Sequence, residues 1–519
     1  MASISNDVHC QEKLSNLYKM LSHLHGPSSQ HIAINNKLVC SAFELYHSIT
    51  PTDDVINLMF GFLRQQNERY KNGGSAMGIL ATILIQEYLK FDVPIGTVMD
   101  NNELILSTCV REIRTLSVKC NIGRFSDVTK IIRPILMSKL LLTREESKHL
   151  CLTFARVFTM DNFWNNSHVI KLENEAILKT SLNDGLMLRL EQYTNFPNEL
   201  TDVKVILYSV SIALDSEEVL EGGSKFDYQV ESRSDLKESL LNGNVLRTCR
   251  LMHGLVQLIV CQKVIHPRAK KWFKDNAIYC IDRVGKACMK KLETICQCIA
   301  VNNLSETDLS SYLGHISLAK RVNLIEKNFL RLENVNVPQI KTVILCAEDE
   351  IRLNALDICY EQTLTALDTV SKTENVLYGG GCSITRLLMK MVKEHGTMTH
   401  FRVYVTSLLK LCQAVSRTDT LHHCIDLTFH HHWITGSPTC CCGIVKKSST
   451  MEFVNFLELN NNSYLTNYKP SDVQEDFYGR EADVFESEEM FIHIISSAFQ
   501  LANMVLRIGA KVVSKPPTT

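Results

Sequence analysis

The sequence predicts a mixed α/β protein in which a helical body, formed from both ends of the chain, carries an inserted α/β segment. Two observations predict the helical body: apolar residues recur at helical spacing from Val8 to Leu24 and again from Glu488 to Ile508. A third observation predicts the insertion, because short β-prone runs separated by helical stretches begin at about Ile170. The fold class is therefore mixed α/β.

The N-terminal part is predicted to be helical. Its first helix should end at Gly26-Pro27, since glycine caps helix C-termini and proline lacks the N–H that a helix interior needs. A second helix is predicted from Asp54 to Arg69. The run from Met77 to Leu89 is apolar on all sides. That pattern is typical of a helix at the centre of a domain.

The middle of the chain changes in character. A capping box at Thr143 to Glu146 begins the last helix before it. Strands are then predicted at Val203 to Tyr208 and Leu255 to Val260, with helices at Asp235 to Leu251 and His266 to Asp275. This alternation favours an α/β module whose apolar strands are covered on both faces.

A glycine triplet, Gly379 to Gly381, is the most unusual local feature. An apolar run precedes it, and apolar residues at helical spacing follow from Ile384 to Val392. Three glycines let a backbone bend sharply or approach a ligand closely, and a helix N-terminus directly after them could meet a phosphate. A flexible linker is the plain structural interpretation of the same residues.

Composition limits the classes of function. A chain of 519 residues is long enough for two to four domains. With 55 basic and 56 acidic residues the net charge is -1, which argues against a nucleic-acid binder or a polybasic membrane protein. No apolar leader follows Met1, so the 19 cysteines are expected to be reduced in the cytosol. The apolar run from Ile79 to Ile85 is too short to span a bilayer.

Three other groups of residues have a functional and a structural interpretation. Two interpretations, a zinc site and an irregular insertion, are open for a histidine- and cysteine-rich cluster made of His422-His423-Cys424, His430-His431-His432 and Cys440-Cys441-Cys442. Adjacent ligands point in divergent directions, so we predict no metal. Cys261 and His266 could be a nucleophile and a base, but a cysteine that ends an apolar strand is usually buried and inert. The lysine pairs Lys270-Lys271 and Lys290-Lys291 are interpreted as solvated helix faces.

The order of these motifs resembles a group II chaperonin subunit of the TRiC/CCT superfamily. The resemblance extends over nearly the whole chain and rests on four segments: Gly26-Pro27, Asn72 to Leu80, Tyr378 to Gly381, and Met504 to Ile508. Within that superfamily, four further segments look like the Bardet-Biedl syndrome chaperonin-like proteins: Leu258 to Pro267, Ile281 to Gly285, Gly379 to Cys382, and Cys440 to Gly443.

The resemblance implies a three-domain subunit. Residues 1–131 and 376–519 would form a helical equatorial domain, 132–185 and 333–375 an intermediate hinge domain, and 186–332 an α/β apical domain. The stretch Glu217 to Leu251, with its polar loop Glu217 to Asp227, would take the place of the lid protrusion. A vestigial nucleotide pocket would be lined by Gly26, Pro27, Gly73, Gly379, Gly380, Gly381 and Gly443.

This sequence departs from the family pattern at positions where ATP hydrolysis needs acidic side chains. ATP-hydrolysing members carry G-D-G-T-T, whereas the aligned stretch here is Asn72 to Ala76, in which Asn72 is neutral. An amide oxygen holds a hard divalent ion far less well than a carboxylate does. Thr365 precedes Ala366-Leu367 where the family has its second aspartate, and Asp368 lies on another face of that helix.

Three further departures point the same way. The family's Asn-Asp-Gly turn is not recognisable between Val39 and Tyr46. Ile384 replaces the glutamate that follows the triplet, and Val445 replaces the aspartate that contacts the base. Together these losses predict a disabled ATPase site, so the protein is not expected to be an enzyme. No cofactor is certain, although the surviving glycines could still bind ATP.

The resemblance implies an interaction protein. It would assist protein folding and assembly of the BBSome, the ciliary trafficking coat, without its own ATP cycle. Its partners would be BBSome subunits, sister chaperonin-like proteins and TRiC/CCT subunits, with no nucleic acid and no membrane insertion. Its location would be the cytoplasm, at the centrosome or basal body. The alternative is an ATP-dependent chaperonin subunit that folds cytosolic proteins.

Overall fold

The computed structural model describes residues 8–26, 29–35, 37–51, 53–91, 93–160, 162–190, 196–212, 250–304, 308–337, 340–396, 398, 400–416 and 484–508. The helices are α1 Val8–His23, α2 Ala42–Ser48, α3 Asp54–Tyr70, α4 Gly74–Tyr88, α5 Ile95–Leu116, α6 Phe125–Met137, α7 Arg144–Phe158, α8 Phe163–Asn166, α9 Pro267–Asp275, α10 Lys286–Cys296, α11 Glu350–Thr373, α12 Cys382–His395, α13 Phe401–Ser416 and α14 Glu488–Leu506. The strands are β1 Ile32–Ile34, β2 Lys37–Val39, β3 Val118–Lys119, β4 Ser167–Glu173, β5 Ser181–Asp184, β6 Leu186–Arg189, β7 Glu199–Tyr208, β8 Leu258–Cys261, β9 Tyr279–Ile281, β10 Leu313–Leu324, β11 Lys327–Glu333, β12 Lys341–Ala347, β13 Asn375–Tyr378 and β14 Phe485–Ser487.

The chain forms two compact units. Unit 1 contains Met1–Phe158 and Asp349–Thr519, and unit 2 contains Thr159–Glu348. The three-domain boundaries implied by the family resemblance, with a separate intermediate domain, stay a prediction.

Helix α4 lies at the centre of unit 1. It is buried on nearly all sides and packs against α1, α13 and α14. The all-round apolar run that begins at Met77 therefore predicts a core helix correctly. The helix starts three residues earlier than predicted, at Gly74, because Gly73 serves as its N-cap in a left-handed conformation.

Helix α14 is the longest apolar element in the described part of the chain. By length and composition alone it could cross a membrane. In the structure it packs against α4 and α5, and ten of its side chains are buried in unit 1. We therefore assign it as a core helix of this unit.

The start of α7 in this unit has the capping box that the sequence predicts. The Thr143 hydroxyl accepts a hydrogen bond from Glu146 N at 3.2 Å, and Glu146 Oε2 accepts from Thr143 N at 2.8 Å. These reciprocal bonds confirm the predicted capping box at the start of α7.

The glycine triplet follows a short strand, as predicted. Strand β13 lies between β14 and β3 in an antiparallel sheet, and α12 begins at Cys382 directly after Gly381. This small sheet and α12 fix the backbone on both sides of the triplet.

Unit 2 is built on a six-stranded sheet with the order β6-β11-β10-β7-β8-β9. Strands β7, β8 and β9 are parallel, with α9 between β8 and β9. This confirms the predicted α/β module in part. The other half of the sheet is antiparallel, a feature that the sequence did not predict.

The hairpin of β10 and β11 forms part of the antiparallel half of the sheet. Its turn residues, Ile325 and Glu326, have φ values of 53° and 58°. Hairpin turns with two positive φ angles normally carry Asn-Gly or Asp-Gly. The sequence therefore lacks the usual signal for this hairpin.

A second sheet in unit 2, with the order β4-β12-β5, contains one parallel and one antiparallel pair. The predicted loop Glu217 to Asp227 lies outside the described residues. The predicted helix Asp235 to Leu251 also lies outside them, except for its last two residues.

Candidate functional site

A cavity of about 230 Å³ lies within unit 1. It is bordered by the ends of α1, α3 and α4, by α6 and α11, and by the glycine triplet with β14. Its polar and glycine lining residues are His25, Gly26, Ser41, Asn67, Lys71, Asn72, Gly73, Gly74, Ser75, Arg133, Ser138, Lys139, Gln362, Gly380, Gly381, Glu486 and Ser487.

The structure places four of the predicted pocket glycines in this lining: Gly26, Gly73, Gly380 and Gly381. Gly379 is not among the lining residues. A Cβ built on Gly379 would lie 2.6 Å from Glu486 Oε1, so only glycine fits beneath that carboxyl group. Pro27 and Gly443 lie outside the described residues.

The start of α4 carries no acid. Asn72 Oδ1 accepts a hydrogen bond from Gly73 N at 2.8 Å, so its carboxamide is turned onto the backbone next to it. Letter by letter, the G-D-G-T-T motif places its aspartate at Gly73 rather than Asn72. A Cβ on Gly73 would lie 2.6 Å from Ile494 Cδ1 and 2.8 Å from Gln66 Nε2. An aspartate there would displace Ile494 and Gln66 and would also have to adopt the positive φ of Gly73, 81°, so the local structure disfavours it.

Helix α11 presents Gln362 and Ala366 to the cavity, one turn apart. Thr365, which the sequence alignment put at the second aspartate, is not a lining residue, and its hydroxyl donates to the Glu361 carbonyl at 2.8 Å. Asp368 is engaged with Lys372 at 2.8 Å. The neighbouring residue Ala366 lines the cavity instead.

Glu486 is the carboxylate among the described lining residues. Burial raises the pKa of this carboxyl group, and the hydrogen bond that it accepts from Gly380 N–H lowers that pKa. Its place in β14 directs it at the backbone of the triplet.

The remaining charges around the cavity are positive. Lys71, Arg133 and Lys139 line it, and the N-termini of α4 and α12 open onto it through Gly74 and Gly381. Amide N–H groups at helix N-termini and cationic side chains are the groups that hold phosphates. The donor set therefore fits a phosphate. Magnesium, which accompanies ATP, is held by carboxylate oxygens, and in the described lining the carboxylate is Glu486, which accepts from Gly380 N–H.

Sequence reasoning missed the three cations, Gln362 and Glu486. They come from α3, α6, α11 and β14, and single charged residues scattered along a sequence carry no motif. Of the other predicted departures, Ile384 lines the cavity, as do Ser41, Ala42 and Phe43 from the stretch without an Asn-Asp-Gly turn. Val445 lies outside the described residues.

The competing candidates in unit 2 have structural roles. Cys261 is fully buried at the end of β8, and burial raises its pKa to about 11. His266 Nδ1 accepts from Arg268 N at 3.2 Å as the N-cap of α9. The prediction that Cys261 is buried is therefore confirmed.

One lysine of each pair is exposed, as predicted, namely Lys271 and Lys290, and the other is partly buried. Lys270 forms an ion pair with Asp282 at 2.8 Å. Lys291 donates to the Ser167 carbonyl, and burial lowers its pKa. The prediction that Lys291 lies on a solvated face is wrong, because α10 packs this face into unit 2. The described residues contain no cluster of three metal-ligating side chains, and the His/Cys-rich stretch from His422 to Cys442 lies outside them.

Comparisons with known proteins agree with the resemblance read from the sequence. The TCP-1/cpn60 chaperonin family matches residues 40–410. The chain is 24% identical to "Molecular chaperone MKKS" of Mus musculus and of Homo sapiens over 398 residues, which cover 72% of this chain and 69% of each relative. It is 19% identical to "T-complex protein 1 subunit beta" of Encephalitozoon cuniculi (strain GB-M1) over 359 residues, 68% of this chain and 67% of that one. A family match over most of its length and a mixed α/β fold establish that this chain belongs to the TCP-1/cpn60 chaperonin family.

Proposed function

We propose that this chain is a chaperonin-like protein that assists protein folding and assembly without hydrolysing ATP. One observation supports the proposal: Gly73, where the family motif has its aspartate, and Ala366, the cavity-lining neighbour of the predicted Thr365, carry no acid. Acids at such positions hold the metal ion and position the attacking water. Removing one group that stabilises developing charge costs on the order of 10²–10³ in rate. Two such losses would leave turnover near background.

The test is the steady-state rate of phosphate release from ATP and Mg²⁺ by the purified protein. Ala366→Phe is the matched control, because the larger side chain would enter the cavity from a half-buried position of α11 and so reports any contaminating ATPase. We expect the same background rate from both proteins. A substantial rate that Ala366→Phe abolishes would contradict the proposal and favour the ATP-dependent alternative.

Nucleotide binding is a second candidate activity of the same cavity. Lys71, Arg133 and Lys139 support it, together with the two helix N-termini. Since the carboxylate of the described lining, Glu486, is engaged with the backbone of the triplet, binding should depend little on the metal. Titration calorimetry with ATP, with and without Mg²⁺, should give similar affinities. Lys139→Ala should weaken binding in both conditions, and unchanged binding in this variant would exclude the cavity as the site.

The partners we propose are BBSome subunits, sister chaperonin-like proteins and TRiC/CCT subunits, at the centrosome or basal body. The relationship to MKKS and to a TCP-1 subunit supports chaperonin-family partners. Tagged protein purified from ciliated cells should bring down these proteins, as identified by mass spectrometry. Recovery of actively folding cytosolic clients without BBSome subunits would argue against the assembly role.

A further inference from the structure

Unit 2 holds a pair of cysteines, separated by one residue, at the end of α10. Cys296 is the last residue of the helix and is 1% exposed, whereas Cys298 is half-buried and reachable from solvent. The two side chains lie close enough for each to shift the pKa of the other. The sequence shows the Cys-x-Cys spacing but does not show that the sulfur atoms meet.

The backbone brings the two sulfur atoms together. Gln297 adopts a left-handed conformation, φ 54° and ψ 40°, which folds the chain back after the helix. The turn is held by Cys298 N, which donates to the Glu293 carbonyl at 3.3 Å, and by Ala300 N, which donates to Glu293 Oε1 at 3.0 Å. Neighbouring Cα atoms are about 3.8 Å apart, so a folded Cys-x-Cys segment falls within the Cα separation that a disulfide tolerates.

The neighbouring strand leaves space for the pair. A Cβ on Gly314 of β10 would lie 2.6 Å from Cys298 Sγ and 2.9 Å from Cys296 Cβ. Glycine at this position is therefore required by the Cys298 thiol and by the carbonyl oxygen and Cβ of Cys296, which pack over it.

We propose that Cys296 and Cys298 form a redox-active dithiol that a peroxide converts into an intramolecular disulfide. The accessible Cys298 thiolate attacks the peroxide: its S–O bond forms, the O–O bond breaks, and the released hydroxide takes a proton to become water. Cys296 then attacks the sulfenic acid, so that the S–S bond forms, the S–O bond breaks, and a second water leaves with the Cys296 proton. The two sulfur atoms together lose two electrons, and the peroxide gains them. A small thiol reverses the reaction by disulfide exchange.

The electrostatics agree with these roles. The Cys296 side chain lowers the pKa of Cys298, against burial and the Glu293 charge, which raise it. The Cys298 side chain and burial raise the pKa of Cys296. Cys298 is thus the attacking thiolate and Cys296 the resolving thiol. The pair lies in unit 2 and its chemistry does not depend on the proposed function.

The full-length protein is treated with hydrogen peroxide, quenched, denatured, alkylated and digested with trypsin. The peptide Leu292 to Lys320 contains both cysteines and no other. We expect it to lose both alkylation sites and two hydrogen atoms in mass, and to regain them after treatment with dithiothreitol. The peptide Asp275 to Arg283 is the internal control, because its single cysteine, Cys280, is also half-buried.

A variant separates redox chemistry from packing. Cys296→Ser keeps the attacking thiol without the resolving one, so dimedone should capture a sulfenic acid on Cys298 that the unaltered protein does not retain. The proposal would be overturned if the Leu292 to Lys320 peptide still carried two alkyl groups after peroxide treatment while Cys280 was oxidised at an equal or greater rate. Disulfide formation in the unaltered protein together with dimedone capture in the variant would establish it.

Discussion

The substitution Gly73→Ala tests whether the start of α4 has room for any side chain. Gly73 has φ +81°, where an L-residue costs about 1–2 kcal/mol. The new Cβ would also lie 2.6 Å from Ile494 Cδ1, and overpacking of this kind costs about 1–3 kcal/mol. Since both costs act on the same residue, we expect a local loss of about 2–5 kcal/mol.

The neighbouring Gly74 supplies the matched control. It is the first residue of α4, its φ is not positive, and its nearest contact would be Ala42 Cβ at 3.3 Å. Gly74→Ala should change stability by less than about 1 kcal/mol.

Hydrogen–deuterium exchange of α4 peptides under native conditions measures the difference, because the loss is local to this helix. Faster exchange in Gly73→Ala alone is the expected result. Equal exchange in the two variants would refute the argument that the local structure at Gly73 disfavours an aspartate.

Three further predictions concern stability. Thr143→Ala removes one half of the bond pair with Glu146 and should cost about 1 kcal/mol, seen as faster exchange in the first turn of α7; unchanged exchange would contradict it. Tyr404→Phe removes the hydroxyl that donates to Asn102 Oδ1 at 2.7 Å in the core of unit 1 and should cost about 1–3 kcal/mol in urea unfolding; a neutral effect would contradict it. Burial lowers the pKa of His168 to about 4, so the folded state holds this ring neutral while the unfolded chain protonates it near 6.5. The stability that this group contributes is complete above about pH 6.5 and falls by up to about 3 kcal/mol as the pH drops towards 4. His168→Gln should reduce this pH dependence when urea midpoints are compared across that range. An unchanged pH dependence in the variant would exclude His168 as its source.

The elements of unit 1 could be predicted well because each has a local signal. Helix α4 is apolar on every side, α7 has a capping box, and the triplet separates β13 from α12. Local patterns of this kind need no knowledge of distant contacts. The elements that were missed are those fixed by tertiary structure, such as the β10 and β11 hairpin, whose turn residues give no sign of their conformation.

Of the candidate site, only glycines were predicted correctly from the sequence. Glycines stand out in a sequence, and four of them do line the cavity. The prediction named Asn72, whereas the motif read letter by letter puts its aspartate at Gly73, and it named Thr365, whose neighbour Ala366 is the residue that lines the cavity. The three cations and Glu486 converge from elements far apart in the chain, and only the packed structure brings them together.

Single-turnover hydrolysis is the most direct test of the claim that this scaffold lacks the acids for ATP cleavage. The purified protein is placed in excess over labelled ATP with Mg²⁺, so that even one slow cleavage per site is detected as labelled phosphate. The account predicts that release does not exceed that of Ala366→Phe over the whole time course. Cleavage of a full equivalent of ATP by the unaltered protein, absent in that variant, would contradict it.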